Sequence, residues 1–328
     1  MKAGRIFWVG MAILGLFLSI GPEGLSAEKK FPTKPIQVII PFQPGTTDNI
    51  LRPFIEKIPE YLRQPVSFVY KPGAAGATGA GFVAASNPDG YTLVGSSQSS
   101  IVGVPLTNGD LSYTWESFAP ICCVAEIPSL FVVKPDAPWK DIKDLVADAK
   151  KNPGKITYSS SGTFGLDHLA FEAFAKEAGI KLSHIPSQGS SPAMTAVLGG
   201  HLDGASSSLA PVLSHIKAGT LRALVVYTPQ RSRALPDVPT IVESGYKLGL
   251  TGFYGFLAPK RTSKEVVDAI HLAARKATDN HKTFIIERLD MLGAQISFGG
   301  PAEYTTKLKE MYVFLEDMLK DLRQDLKK

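Results

Sequence analysis

The chain has 328 residues, of which 44% are hydrophobic and 20% are charged, and its formal net charge is +5. This is the composition of an ordinary globular protein, with enough residues for one large or two medium domains. Because the basic residues are scattered rather than clustered, and no second apolar stretch after the N-terminus is long enough to span a bilayer, nucleic-acid-binding and integral membrane proteins are disfavoured.

The N-terminus has the order of features of a secretory signal peptide. Lys2 and Arg5 precede an apolar run over residues 6–20, and small residues end at Ala27. The apolar run has about 15 residues, which is shorter than the roughly 20 that a spanning helix needs. We therefore predict a signal peptide over residues 1–27, cleavage after Ala27 and export to the periplasm, with an uncleaved membrane anchor as the alternative.

The first part of the predicted mature chain alternates strands with helices. A buried-strand run at residues 37–40 leads into a loop at 41–48 and then into a helix with apolar residues at helical spacing. Val66–Tyr70 and residues 91–94 are the next predicted strands. This spacing predicts a mostly parallel, right-handed α/β sheet.

The two cysteines of the chain are neighbours, Cys122 and Cys123. Adjacent residues of a strand point to opposite faces, so a bond between these two thiols would be strained. We therefore interpret both as structural thiols of the core, and their free or paired state is left open.

The same alternation begins again after Pro138. Ser191 and Pro192 have the residue types of an N-cap and a first helical residue. An apolar stripe in the last predicted helix is typical of core packing. The remaining predicted strands lie at 156–158, 182–185 and 221–227, and the remaining helices at 141–150, from 166, from 192, at 264–278 and at 302–326.

Hydroxyl-rich loops follow several of the predicted strands, at residues 46–48, 96–100, 159–163, 187–191 and 206–208. In a parallel sheet such loops meet at the carboxyl edge, where ligands bind. They offer hydroxyls, backbone N–H groups and helix N-termini, which together favour an anion. Each loop taken alone is better explained by turn and capping chemistry than by ligand binding, so the prediction of a site depends on their joint placement.

The sequence gives little support to catalysis. It contains no G-x-S-x-G, H-E-x-x-H or phosphate-loop lysine motif, and a glycine-rich stretch at 73–79 has the wrong spacing for a nucleotide loop. The six histidines show no spacing typical of metal ligands. We therefore predict no catalytic residue, no metal and no cofactor.

Eight short segments, taken in order, resemble one family: the substrate-binding receptors of tripartite tricarboxylate transporters, also called Bug proteins. The resemblance covers nearly the whole predicted mature chain. The segments are 31–36, 41–45 with Asp48 and Arg52, 71–76, 88–93, Ser161 and Gly162 with His168 and Leu169, 184–186 with Gly189, 198–200, and 235–240.

The resemblance implies a two-lobed periplasmic binding protein fold, similar to type II, with two crossover segments and a ligand cleft between the lobes. We place the first lobe at 28–130 and 250–328 and the second at 131–249. The implied function is an extracytoplasmic receptor, not an enzyme, that binds a small organic carboxylate. It would deliver this ligand to membrane permease subunits, and we expect a monomer that binds no nucleic acid.

In the family, the loop after the first strand and the matching loop of the second lobe hold a ligand carboxylate. Combined with the hydroxyl-rich loops, this gives the candidate ligand-binding residues Gln43, Gly45, Thr46, Thr47, Asp48, Ser97, Gln98, Ser160, Ser161, Gly162, Thr163, Phe164, Gly165, Ser187, Ser206 and Ser207.

Three departures from the family pattern leave the ligand open. Thr46 and Thr47 stand where the family is richer in glycine, Ser187 and Gln188 replace an aromatic–lysine pair, and Phe253 replaces a tryptophan. The candidate ligands still include mono-, di- and tricarboxylates, aromatic acids and amino acids. Two other functions also stay open: a ligand sensor for a signalling system and an exported hydrolase with a serine-rich pocket. Thr47 has a plainer alternative role as the N-cap of a helix beginning near Asn49.

Overall fold

The computed structural model of the protein describes residues 31–163, 165–187, 189–247 and 250–325. The predicted signal peptide and Phe164 lie outside these ranges. No helix within them is both long and apolar enough to cross a membrane.

The strands of the described chain form one mixed sheet, with the order β2-β1-β3-β9-β4-β7-β5-β6, while β8 and β10 both pair with β4. Pairing is parallel in four cases and antiparallel in five. The parallel pairing predicted from the early strands is confirmed for those strands, but the sheet as a whole is not mostly parallel. The strands are β1 Ile36–Ile40, β2 Val66–Tyr70, β3 Thr92–Ser97, β4 Phe118–Val133, β5 Thr157–Ser159, β6 Ser183–His184, β7 Gly204–Ser208, β8 Arg222–Val226, β9 Thr251–Pro259 and β10 Gln295–Gly299.

The helices connect these strands and cover both faces of the sheet. The apolar stripe of the last helix is buried at Leu308, Met311 and Leu315, which confirms its interpretation as core. The helices are α1 Thr46–Ile55, α2 Pro59–Leu62, α3 Ala77–Ala84, α4 Val104–Thr107, α5 Ile142–Lys151, α6 Leu166–Ala178, α7 Ser190–Leu198, α8 Leu213–Lys217, α9 Lys264–Asn280, α10 Lys282–Asp290 and α11 Pro301–Asp325.

The 16-residue strand β4 joins two groups of strands. Its residues up to Pro128 pair with β9, and those from Ser129 onward pair with β7 and β8. The first group contains the parallel strands β1, β2 and β3, and the second contains the parallel strands β5, β6 and β7. The exact lobe boundaries at 130/131 and 249/250 stay a prediction.

The adjacent cysteines lie on β4 and are free and fully buried. Cys122 belongs to the core on one face of the sheet and Cys123 to the core on the other, as the alternation of a strand requires. Burial raises the pKa of both thiols, that of Cys123 to about 12. Both are therefore structural, as the sequence indicated.

Several predicted loops are in fact strand or helix. Ser96 and Ser97 belong to β3, where they pair with β9, and Ser206 and Ser207 belong to β7, where they pair with β4. Helix α1 begins at Thr46 with Gly45 as its N-cap, so Thr47 lies in the first turn and is not the N-cap. Helix α7 likewise begins at Ser190 with Gly189 as its N-cap, two residues before the predicted N-cap Ser191.

Candidate functional site

A cavity of about 260 Å³ lies where the ends of several strands meet the starts of three helices. We call it the cleft. It opens into a wider space of about 910 Å³, the outer cleft, which shares Gln98, Ser161 and Ser190 with it. The cleft is lined by Phe42, Gln43, Thr46, Thr47, Ser97, Gln98, Ser99, Ile127, Ser129, Ser161, Gly165, Leu166, Asp167, Ser190, Ser208, Gly252 and Tyr254.

The start of α1 forms one wall of the cleft. Its N-cap is Gly45, which has no side chain to accept hydrogen bonds from the first-turn N–H groups. The first intrahelical bond runs from Asn49 N–H to the Gly45 carbonyl (3.0 Å), so the preceding amides have no partner within the helix. Thr46 and Thr47, both in this first turn, line the cleft.

Asp48 holds this wall in place from behind. Its carboxylate accepts hydrogen bonds from Gly45 N–H (2.5 Å), Arg52 Nη2 (2.8 Å) and the Tyr70 hydroxyl (2.9 Å). Burial acts to raise the pKa of Asp48, but these hydrogen bonds and the Arg52 charge outweigh it, so the pKa lies below its usual value. Asp48 does not line the cleft, and its contacts are those of a residue that positions the loop.

Helices α6 and α7 open into the same cleft in the same way. Their N-caps are Gly165 and Gly189, and neither has a side-chain capping bond. By contrast, Asp141 caps α5 and Ser263 caps α9 with side-chain oxygens, and neither of these helices starts at the cleft. Three helix N-termini with glycine caps therefore converge where a ligand would lie, and this arrangement favours an anion.

The end of β3 supplies a further donor. The Gln98 carbonyl oxygen accepts a hydrogen bond from Phe253 N–H (2.9 Å), which leaves the NH₂ group as the donor end of this buried side chain. Ser97 and Ser99 line the cleft beside it.

Asp167, in the first turn of α6, is a cleft residue that the sequence analysis missed. It is 6% exposed. Its Oδ1 accepts from the Ser129 hydroxyl (2.7 Å) and its Oδ2 from the Ser161 hydroxyl (3.2 Å). Burial raises the pKa of Asp167, and these hydrogen bonds together with one from the Ser208 backbone oppose the rise. In the sequence, an acid at a helix start has an ordinary structural explanation, so the only available signal was its position after a hydroxyl-rich loop.

The predicted ligand-binding residues divide into three sets. Gln43, Thr46, Thr47, Ser97, Gln98, Ser161 and Gly165 line the cleft. Gly162, Thr163 and Ser187 line only the outer cleft. Gly45, Asp48, Ser160, Ser206 and Ser207 line neither; the hydroxyl of Ser206, for example, bonds the Asp167 carbonyl (2.6 Å) and Tyr227 (3.0 Å). Phe164 lies outside the described residues, and the ligand-binding roles of all these residues stay predictions.

A serine–histidine pair lies behind the wall of the cleft. Ser160 Oγ is 2.9 Å from His184 Nε2, and the rings of His184 and His168 are 4.0 Å apart. Burial lowers the pKa of each histidine to about 4, and in His168 the proximity of His184 adds to this effect. Ser160 is fully buried and lines neither the cleft nor the outer cleft, so this pair has no access to a substrate there.

The side chains around the cleft and the outer cleft include no Lys, Arg or His within the described ranges. In the part of the chain that the structure describes, no group of three or more His, Cys, Asp or Glu residues is placed to hold a metal ion. Among the residues that the structure describes, the binding chemistry of these walls is therefore hydrogen bonding by neutral groups, with Asp167 as the one acidic side chain.

Comparisons with known proteins agree on one family. A family model described as the tripartite tricarboxylate transporter family receptor matches residues 50–297. The protein BugT of Bordetella pertussis is 33% identical over 264 residues, which cover 78% of this chain and 80% of BugT.

Solved structures share the fold over nearly the whole chain. One described as a periplasmic transporter has a TM-score of 0.79 at 37% identity and covers 88% of this chain and 97% of its own. R. palustris Rpa4515 with adipate has a TM-score of 0.79 at 24% identity and covers the same shares of the two chains. These matches confirm the predicted α/β, two-lobed periplasmic binding protein fold.

Proposed function

Because the chain belongs to the tripartite tricarboxylate transporter receptor family, we propose that it binds a small organic carboxylate in the cleft and delivers it to the permease subunits of such a transporter. Receptors of this family are periplasmic solute-binding proteins. The proposal names the ligand class, the site and the partner.

The observation that carries the proposal is the convergence of three uncapped helix N-termini on one cavity. The first-turn amides of α1 and α7, the hydroxyls of Thr46, Thr47 and Ser190, and the NH₂ group of Gln98 are all hydrogen-bond donors there. A carboxylate offers two acceptor oxygens and a full negative charge, which match such donors and the positive ends of helix dipoles. Neutral donors hold an anion without the strong charge pairing that would slow its release to a permease.

The position of the cleft between residues of the two predicted lobes supports a closure of these lobes around the ligand. Thr46 and Thr47 belong to the first predicted lobe, while Ser161 and Ser190 belong to the second, and all four line the cleft. The strand β4 runs from one group of strands to the other beside the cleft. We propose that a ligand bridges the two lobes and that they close by a hinge motion. Small-angle scattering curves that are identical with and without a tightly bound carboxylate would contradict closure.

We propose that the protein makes and breaks no bond in its ligand. The serine–histidine pair at Ser160 and His184 is buried away from the cleft, and the family is one of receptors. Turnover of a bound carboxylate, followed by mass spectrometry over several hours, would contradict this part of the proposal. We further propose that the protein is exported and cleaved after Ala27, which N-terminal sequencing of the periplasmic protein tests. We also propose that the receptor is a monomer, which sedimentation of the same protein tests.

The ligand class is tested by comparing acids with their own primary amides. Each amide keeps the size of the acid but removes its charge. We expect copurified or added carboxylates to bind and to raise the free energy of unfolding, by roughly 2.7 kcal/mol at 100 times the dissociation constant. Calorimetric titration should show each amide at least about tenfold weaker than its acid, since a hydrogen bond to a charged group is worth about 1.5–3 kcal/mol. Equal affinities for acid and amide would refute a carboxylate site.

A further inference from the structure

The cleft contains a feature that a site for a simple polyanion does not need. Asp167 is the one acidic side chain lining it, and no basic side chain lines it within the described residues. A second or third ligand carboxylate near Asp167 would be repelled by its charge, and the low local dielectric would strengthen that repulsion.

The hydrogen bonds to Asp167 leave the two donating serines able to act only as acceptors toward a ligand. The hydroxyls of Ser129 and Ser161 each donate a hydrogen bond to the Asp167 carboxylate, at 2.7 and 3.2 Å. The two hydroxyl oxygens can then only accept hydrogen bonds from a ligand. Asp167, Ser129 and Ser161 therefore present a patch of acceptors, which we call the acceptor patch, and all three line the cleft.

Aromatic rings adjoin the same cavity. Phe42 and Tyr254 both line the cleft, and Tyr254 is close enough to Asp167 that the carboxylate contributes to raising the pKa of its hydroxyl. A carboxylate beside aromatic faces is a favourable setting for an ammonium group, through ion pairing and the ring quadrupole. The donors at the starts of α1 and α7, by contrast, suit a carboxylate.

We propose that the ligand of this receptor carries a cationic nitrogen as well as a carboxylate, as an amino acid does, and that Asp167 with its two serines binds that nitrogen. This inference rests on the proposed function, because it assigns the donor end of the cleft to the ligand carboxylate. Asp167 thus acts as the residue that selects between amino acids and simple organic acids.

A protonated Asp167 would lead to the opposite selectivity. It would donate a hydrogen bond to a second ligand carboxylate and so favour a dicarboxylate without nitrogen. Burial raises the pKa of Asp167, while three neutral donors to the carboxylate, from Ser129, Ser161 and the Ser208 backbone, oppose the rise. An incoming ammonium would add a positive charge beside the carboxylate and stabilise its ionised form.

The experiment uses the purified full-length receptor and pairs of probes that differ only in the amino group. The pairs are L-alanine with propionate, L-leucine with 4-methylpentanoate, L-glutamate with glutarate, and 4-aminobutyrate with butyrate. Native mass spectrometry first identifies any copurified ligand, and calorimetric titration then measures each probe against wild type, Asp167→Asn and Asp167→Glu. Glu172→Gln is the matched control, because it removes a negative charge from the same helix at a side chain that bonds Tyr158 and does not line the cleft.

We expect the copurified ligand to contain a protonated nitrogen and the amino acid of a bound pair to bind more tightly than its deaminated partner. Asp167→Asn should weaken the amino acid roughly ten- to a hundredfold while leaving the deaminated acid unchanged or tighter. Asp167→Glu should keep the preference, Glu172→Gln should not alter it, and the melting temperature of each empty variant shows that it is folded.

Two results overturn the inference and differ in what they leave standing. If deaminated acids bind as tightly as amino acids, or if a folded Asp167→Asn keeps the preference, the inference is wrong and the carboxylate receptor stands. If no carboxylate binds, with or without nitrogen, and the copurified ligand lacks one, the proposed function is wrong as well.

Discussion

Replacing Ser190 by aspartate separates ligand binding from folding, because the two should change in opposite directions. Ser190 is the first residue of α7, lines the cleft and follows the glycine cap Gly189, and the first turn of α7 contains no acidic residue. Ser190→Asp therefore places a carboxylate at a helix N-terminus, where it stabilises the empty protein by about 0.3–1 kcal/mol. The same carboxylate occupies the position proposed for the ligand carboxylate.

The loss of affinity follows from Coulomb's law. Two like charges about 5 Å apart at an effective dielectric constant of about 20 repel by roughly 3 kcal/mol, which corresponds to more than a hundredfold in the dissociation constant. Calorimetric titration and melting curves of the empty protein, at low and high salt, measure both effects. The repulsion should shrink as salt rises, because part of the cleft is open to solvent.

The isosteric control Ser190→Asn keeps the size of the new side chain without its charge. We expect its affinity to stay within a few-fold of wild type. If Ser190→Asp binds carboxylates as tightly as wild type, the helix start is not the anion site. If Ser190→Asn is as weak as Ser190→Asp, the effect is one of shape and the electrostatic reasoning is refuted.

Three further predictions concern residues around the cleft. Thr47→Val should reduce affinity roughly ten- to a hundredfold if the hydroxyl binds the ligand, with the melting temperature of the empty protein unchanged because Thr47 is not the N-cap; unchanged affinity removes this hydroxyl from the site. Asp48→Asn should lower the free energy of unfolding of the empty protein, measured with urea, by about 2–3 kcal/mol, because it weakens the hydrogen bonds from Arg52, Tyr70 and the Gly45 amide. A loss below about 0.5 kcal/mol would show that these hydrogen bonds do not hold the loop. The free energy of unfolding should fall as pH drops from 6.5 to 4, by up to about 3 kcal/mol from His168 alone. The reason is that the pKa of His168 is lowered from 6.5 to about 4 in the folded protein, so the unfolded state takes up the proton first. If His168→Asn leaves the pH slope of stability unchanged, this reasoning is contradicted.

Local patterns predicted the parallel parts of the fold well, because each strand there is followed by its own helix. Strand β2 was predicted with its observed bounds, and α5, α9 and α11 lie within two residues of their predicted bounds at either end. The 16-residue strand β4 was missed because Pro120 and Pro128 interrupt its sequence pattern. In the structure, Pro120 lies at a register irregularity and Pro128 lies at the point where β4 changes partners, so neither breaks the strand.

The antiparallel pairings of β4 and β9 could not be read from local sequence at all. The paired residues Glu126 and Phe253 are far apart in the chain, and only tertiary packing decides that they meet. The same holds for the depth of the serines. Ser161 lies in the cleft and Ser206 behind it, although both belong to hydroxyl-rich stretches that look alike in sequence.

The residue at each helix N-cap is a second sequence signal beside the serines. A helix start normally has Ser, Thr, Asp or Asn at the N-cap, and the chain follows this rule with Asp141 and Ser263 at helices that start away from the cleft. At α1, α6 and α7 the cap is glycine, although Thr46, Ser161 and Ser190 lie within a few residues and could have served. A side-chain cap would occupy the very amides that an anion needs, so we interpret glycine at these three strand-to-helix turns as leaving the amides for the proposed ligand. Gly76 also caps α3 without a side-chain hydrogen bond, although α3 lines neither the cleft nor the outer cleft. A glycine cap is therefore informative only in combination with hydroxyl-rich segments at the same strand ends.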